Sequence, residues 1–210
     1  MIRLYHSPMA CSLASRLALA ESGLAHEISL VRTYRGEQRA PDYLAVNPAG
    51  RVPALSVDGT IVTESTAILP LIAALAPAAG LFPTESIPRA QAQAILSFIS
   101  SSLHAALTPA MFPERFAGSG DPEAYRAAAI ERAGAALQLL ESHLGNQDWL
   151  LGRFSLCDLY LLVFLFWRGN PALQGKLPAT PRLDGLQQRL LARPAVGPTV
   201  SADMAERQKG

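Results

Sequence analysis

Two cysteines, Cys11 and Cys157, are all that the 210 residues contain. That rules out a disulfide framework, and the two lie too far apart in sequence to form a paired metal-binding motif. Excess charge is also missing: 18 basic against 17 acidic residues leave a formal net charge of +1. Nucleic acid and anionic membrane surfaces both call for a basic excess, so neither is expected as a partner. Long apolar runs are absent too. The most apolar stretch, residues 159–167 (LYLLVFLFW), is roughly half the length of a bilayer span and reads as a buried core helix. There are no internal repeats and no low-complexity tracts. Met1 leads directly into a strand-like run with Arg3 in its middle, so no signal peptide and a cytoplasmic location are expected.

What is present is apolar material for a core: half of the chain is hydrophobic and 17% is charged, which excludes global disorder. The first part alternates strand and helix signals. IRLYH reads as a strand, residues 12–22 as a helix closed by Gly23, HEISLV as a half-buried strand and PDYLAVN as a short helical turn. PALSV and TIVT follow as two strands joined by Asp58-Gly59, a strong hairpin signal, and then the apolar helix ESTAILPLIAAL. The order β-α-β-α-β-β-α describes a small mixed sheet carrying helices. Residues 78–87 are rich in Pro, Gly, Ser and Thr and read as a linker between a domain at 1–77 and an all-helical one at 88–210. Helices are expected at 88–116, 122–144, 156–168 and 182–192, with Pro70 kinking the third helix and Pro109 bending or breaking the 88–116 run. In FSLCD, Ser155 and Asp158 have capping-box spacing, flanked by Phe154 and Leu159 as a staple, so Asp158 is expected to serve folding and not catalysis.

Three stretches could carry chemistry. In SPMACSLAS, Cys11 stands where a strand has ended and a helix begins. Open amides at a helix start favour a thiolate, whereas the alternative is a small buried hydrophobe. No CxxC is present, so a dithiol cycle within the site is not expected. In NPAGRVPAL, Gly50 permits a turn and Val52-Pro53 leads into a strand. With a cis bond there, Val52 could offer its N–H and C=O to an extended peptide. In TES, residues 63–65, helix-start amides and the Ser65 hydroxyl suit a carboxylate and Glu64 suits an ammonium group, with ordinary capping as the alternative.

Taken in order, these stretches with HAALTP, FSLCDLYL and RPAV further along resemble the glutathione transferase family, more narrowly its bacterial beta class. The resemblance covers essentially the whole chain. It implies an α/β, thioredoxin-like N-terminal domain (βαβαββα) joined to an all-α C-terminal domain, a homodimer, glutathione as co-substrate and no metal. By that similarity Cys11 faces the glutathione sulfur and can form a mixed disulfide with it. Val52, before a cis Pro53, pairs with the cysteinyl backbone, Glu64 and Ser65 hold the γ-glutamyl end, and Arg35 meets the glycyl carboxylate. His104 matches the class histidine near the thiol and is implied, with Cys11, as a catalytic residue. Ser97 and Ser101 stand where the class sends polar groups across a dimer interface, and serine is shorter than the groups usual there. Ala105 stands where the class often has lysine. Tyr5, inside the first strand, reads as core, and His6, His26 and His143 show no ligand spacing. An acceptor pocket between the domains would be walled by Met9, Phe112, Phe116 and Trp167. The activity implied is conjugation of the glutathione thiolate to small, largely apolar electrophiles. The alternatives are thiol-disulfide exchange through Cys11 or a non-catalytic ligand-binding protein.

Overall fold

IRLYH puts aliphatic and aromatic side chains on alternate sides of an extended chain, which suits a strand paired along both edges. In the computed structural model, which describes residues 1–209, β1 (Ile2–His6) takes that central place. It pairs in parallel with β2 (His26–Leu30) and antiparallel with β3 (Ala54–Val57), and β3 pairs antiparallel with β4 (Thr60–Thr63). The sheet order is β2-β1-β3-β4. Asp58 and Gly59 close the β3–β4 hairpin with positive φ at both positions, 49° and 88°, as a two-residue turn of matching twist requires. Helices α1 (Leu13–Ser22) and α3 (Ser65–Leu75) pack together, and Leu4, Leu13, Leu17, Leu55, Ile68 and Ile72 are wholly buried. Between β2 and β3 lies α2 (Pro41–Val46), with proline at its first position where no N–H is needed. This is the thioredoxin-like arrangement.

The elements that follow are helices joined by turns and loops: α4 (Ser86–Phe98), a π-helical turn (Ile99–His104), α5 (Ala105–Met111), α6 (Pro122–Leu144), α7 (Leu156–Trp167), α8 (Pro181–Leu191) and α9 (Val196–Gln208). The chain forms two compact units, residues 85–189 and residues 1–84 together with those from 190 onward. The C-terminal helix α9 therefore packs in the first unit, against α1, where the sequence suggested a helical domain running unbroken to the end. In the second unit α4 and α7 pack together, and α5 lies along α6. Residues 156–165 of α7 are all buried, as the LYLLVFLFW run implied. By length and composition the run Ser86–Met111 could cross a membrane, and 39% of its apolar window is buried in the fold.

Several expectations about helix limits are corrected. Pro70 stands inside α3, and the helix runs on past it from Ser65 to Leu75. A proline inside a helix costs roughly 3 kcal/mol, and the burial of Ile68, Leu69 and Ile72 on the same helix offsets it. Pro109 does not break its helix either: α5 passes it and ends at Met111, because Phe112 precedes Pro113 and takes φ −133°. The helix thus stops short of 116, and the irregularity in this long run is the π-helical turn before it. A helix after RPAV was implied by the family resemblance, but the residue pattern gave no bounds for α9. It starts without a side-chain cap, carries Gly197 and Pro198 in its first turn, and buries an aspartate, Asp203, where an apolar residue would mark its inner face.

The capping box at α7 is present. The Asp158 carboxylate accepts from the Ser155 N–H (2.8 Å), the Ser155 hydroxyl (2.9 Å) and the Leu150 N–H (2.9 Å). Burial pushes the Asp158 pKa up to about 6 although these donors pull it down. Asp158→Ala strands all three donors and should cost about 3 kcal/mol, against about 1 kcal/mol for Ser155→Ala, read from urea unfolding midpoints. A carboxyl whose folded-state pKa is raised loses its favourable contribution as pH climbs through that value. Wild type should therefore lose stability relative to Asp158→Asn as the pH rises from 4 to 7.

Candidate active site

The connection from β1 to α1 must reverse direction within a few residues, and it does so with Met9 at φ 59°, a left-handed conformation rare for a side chain of this kind. The turn is held from beneath. His6, wholly buried at the end of β1, meets Ser12 Oγ through Nδ1 (2.9 Å) and Asp203 Oδ1 through Nε2 (2.7 Å). Ser12 Oγ also accepts the Ser7 N–H (3.1 Å), and the Met9 N–H donates to Asp203 Oδ2 (2.6 Å). On top of this support Cys11 remains partly exposed.

The Cys11 thiol donates to the Val52 carbonyl at 3.1 Å. Burial pushes it up to about 11, while the backbone N–H groups of Cys11 and Ser12 pull it down. The Glu64 carboxylate adds to the rise and Arg51 opposes it. Of the two readings of Cys11, the helix-start amides act towards the thiolate, but loss of water around the sulfur outweighs them and favours the protonated thiol. At neutral pH Cys11 is a neutral S–H donor. Cys157 is wholly buried against the Ala92 carbonyl (3.4 Å), with its pKa pushed up to about 12 by burial.

The opposite wall is the segment before β3. Gly50 takes φ 60°, and a Cβ there would meet the Gln38 carbonyl at 3.2 Å. The Arg51 carbonyl is gripped by Tyr43 Oη (2.6 Å) and Asn47 Nδ2 (2.7 Å), and the Val52–Pro53 peptide is cis. Val52 belongs to a small cluster with Val31 and Tyr43, against which Tyr5 packs partly buried, in line with its reading as core. At the third corner Glu64, exposed and at φ 69°, precedes buried Ser65 at the first turn of α3. Arg35 ends a short 3-10 turn (Thr33–Arg35) that is tied back to Ser7, whose Oγ lies 3.0 Å from Thr33 Oγ1 and accepts the Thr33 N–H (3.1 Å). Cys11, Val52, Pro53, Glu64, Ser65 and Arg35 all belong to the first unit, as does partly buried Met9.

The other candidates lie in the second unit. His104 ends the π-helical turn, its ring 5.0 Å from that of Phe164 and 5.2 Å from that of Trp167. Phe112 lies under the Arg115 guanidinium (4.5 Å) and Phe116 stacks on Tyr125 (6.5 Å), both largely exposed. The Ser101 hydroxyl turns back onto its own helix, donating to the Ser97 carbonyl (2.8 Å).

Residues 8–75 match the model of the glutathione S-transferase N-terminal domain, and residues 98–194 that of the C-terminal domain. Over 206 residues the chain is 34% identical to the glutathione S-transferase GstA of Escherichia coli O157:H7, covering 96% of this chain and 98% of that protein. The chain belongs to the glutathione S-transferase family. Two solved glutathione transferases carry glutathione. One is a homologue from Sulfitobacter, 35% identical with a TM-score of 0.87, covering 97% of this chain and 99% of that one. The other is a sphingomonad enzyme, 39% identical with a TM-score of 0.81, covering 96% and 98%.

Sequence reasoning assigned nothing to His6 and did not single out Ser12, Arg16 or Asp203. Asp203 lies 194 residues beyond the Met9 amide that it accepts, and no local pattern announces such a pairing. A histidine at the end of the strand that leads into SPMACS was the available hint. The neutral state of Cys11 generates a prediction: the rate at which iodoacetamide alkylates Cys11 in the ligand-free protein should climb steadily from pH 7 to pH 10 with no plateau, as a pKa near 11 requires. A plateau below pH 9 would refute that state.

Proposed function

We propose that this protein is a glutathione transferase of bacterial beta-class type, which binds glutathione as a thiolate and directs it at small, largely apolar electrophiles. The observation that carries this reading is the arrangement of Cys11, the Val52–Pro53 edge and the Glu64–Ser65 helix start within one unit of a chain whose solved relatives hold glutathione. In it the tripeptide lies extended along Val52, with its cysteinyl N–H taking the carbonyl that Cys11 now occupies. The γ-glutamyl ammonium is met by Glu64, its carboxylate by Ser65 and the open amides of α3, and the glycyl carboxylate by Arg35.

Released from Val52, the Cys11 S–H becomes a donor for the glutathione sulfur. A neutral donor stabilises a neighbouring thiolate and so lowers the pKa of the bound thiol, which is what conjugation needs. Exchange through a Cys11 mixed disulfide needs Cys11 itself as thiolate, and burial acts against that. Conjugation is therefore favoured. His104 is assigned a catalytic part alongside Cys11, and Trp167, which adjoins it, is assigned to the electrophile with Met9, Phe112 and Phe116. The protein is proposed to act in detoxification as a cytoplasmic homodimer; Ser101, whose hydroxyl is taken up by the Ser97 carbonyl, would have to leave that bond to reach a glutathione.

A conjugation assay with glutathione and 1-chloro-2,4-dinitrobenzene should show turnover. Glu64→Gln and Ser65→Ala should each raise KM for glutathione by about tenfold, the loss of one charge-assisted contact. Cys11→Ala should lower kcat/KM by about tenfold or more through loss of the donor to the thiolate. Absence of conjugation across a panel of electrophiles, together with a stable glutathione adduct on Cys11 by intact mass, would reverse the preference in favour of thiol exchange.

A further inference from the structure

The supports of the Cys11 turn converge on one carboxylate. Asp203, wholly buried on α9, receives His6 Nε2 (2.7 Å) and Arg16 Nη1 (2.5 Å) on Oδ1, and the Met9 N–H (2.6 Å) on Oδ2. Through His6 it also reaches Ser12 Oγ (2.9 Å). Met9 and Ser12 lie on either side of Cys11, so both flanks of the thiol are tied to the same group, one directly and one through an imidazole. Met9 keeps its left-handed backbone at a cost of about 1 kcal/mol or more, and the amide bond to Asp203 opposes its relaxation. Burial alone would raise the Asp203 pKa, yet His6, the Met9 amide and Arg16 together hold it below the usual carboxylate range, so the acceptor is charged.

One turn further along, the same helix reaches the segment that carries Arg35. The Arg207 guanidinium lies 3.7 Å from the Tyr34 ring centre, and Glu206 lies 4.0 Å from Arg32. Helix α9 thus braces two separate turns of the candidate glutathione site from its C-terminal half.

We propose that Asp203 is a positioning residue for the glutathione chemistry, fixing the Met9–Ser12 turn so that Cys11 Sγ faces the Val52 edge. It touches no substrate and acts through Met9 and through His6 with Ser12. In its functional part this inference rests on the transferase reading above.

Three variants test it. Asp203→Ala removes every acceptor. Asp203→Asn is the conservative change: an amide has one acceptor oxygen, and the Met9 N–H and the Arg16 guanidinium, both donors only, reach opposite oxygens, so one of them must lose its partner. Val200→Ala, on the same helix and 2% exposed, leaves a small cavity, removes no hydrogen bond and serves as the control for stability. Two readouts are taken on each, below its melting temperature: the rate of Cys11 alkylation by iodoacetamide without glutathione, mapped by peptide mass, and the KM and kcat of conjugation. A freed turn exposes the sulfur, so Asp203→Ala should speed alkylation about fivefold and raise KM for glutathione about tenfold, the scale of a sub-ångström misplacement, with Asp203→Asn lying between it and wild type. Val200→Ala should lower the melting temperature and leave both readouts within about twofold of wild type, as an effect confined to stability would.

Asp203 variants within that same twofold margin would overturn the proposal, as would a Val200→Ala shift equal to theirs. If Asp203→Ala does not fold, Asp203→Asn decides by the same criteria. Alkylation needs no transferase activity. A wild type that neither binds nor conjugates glutathione would overturn the transferase reading, while the alkylation rates still decide whether Asp203 sets Cys11.

Discussion

The register between β1 and β3 is the constraint on which the site depends. Tyr5 opposite Ala54 and Leu4 opposite Leu55 place the residues leaving β1 beside those entering β3. That pairing brings the Cys11 turn and the Val52–Pro53 edge side by side, and the packing of Ala10 against the Val52 cluster and the Cys11–Val52 hydrogen bond hold them there. A slip of one residue would turn Leu4 and Leu55 out of the core, and both are wholly buried. Core packing thus enforces the register, and the register delivers the thiol to the Val52 carbonyl.

What the thiol does there is set by the balance between desolvation and local dipoles. Helix-start amides favour negative charge on sulfur, and the N–H groups of Cys11 and Ser12 act in that sense, but the partly enclosed position and the Glu64 carboxylate prevail. A sulfur that keeps its proton serves as a hydrogen-bond donor and as a poor nucleophile. The same residue type in the same sequence context could thus serve either of two chemistries, and the water removed around it selects between them.

Two buried aspartates show how differently one residue type can be accommodated. Asp158 meets two backbone N–H groups and a hydroxyl, all neutral, and burial lifts its pKa. Asp203 meets an arginine, a histidine and an amide, and its pKa falls. The donors around Asp158 do not offset its lost hydration, whereas at Asp203 the bond from His6, the Met9 amide and the nearby Arg16 together do. The first arrangement closes a helix start within its own neighbourhood. The second joins the end of the chain to its beginning, beneath the candidate glutathione site.

Much of this was legible in the chain itself. Alternation in IRLYH, the Asp58-Gly59 turn, the apolar ESTAILPLIAAL run and the Ser155–Asp158 spacing are local signals that backbone geometry reads directly, and each became the expected element. The order of SPMACS, NPAGRVPAL and TES was enough to name the family and six residues gathered in one unit. Local sequence did not decide the charge on Cys11, because desolvation is a sum over everything packed around the sulfur. Nor did it decide the fate of residues 196–208, where glycine, proline and an inward-facing aspartate obscure the helical period. Their place against α1 is chosen by His6, Arg16 and Met9 needing an acceptor that only a distant segment supplies. Spacing and pattern are properties of neighbours along the chain, whereas desolvation and long-range pairing are properties of neighbours in space.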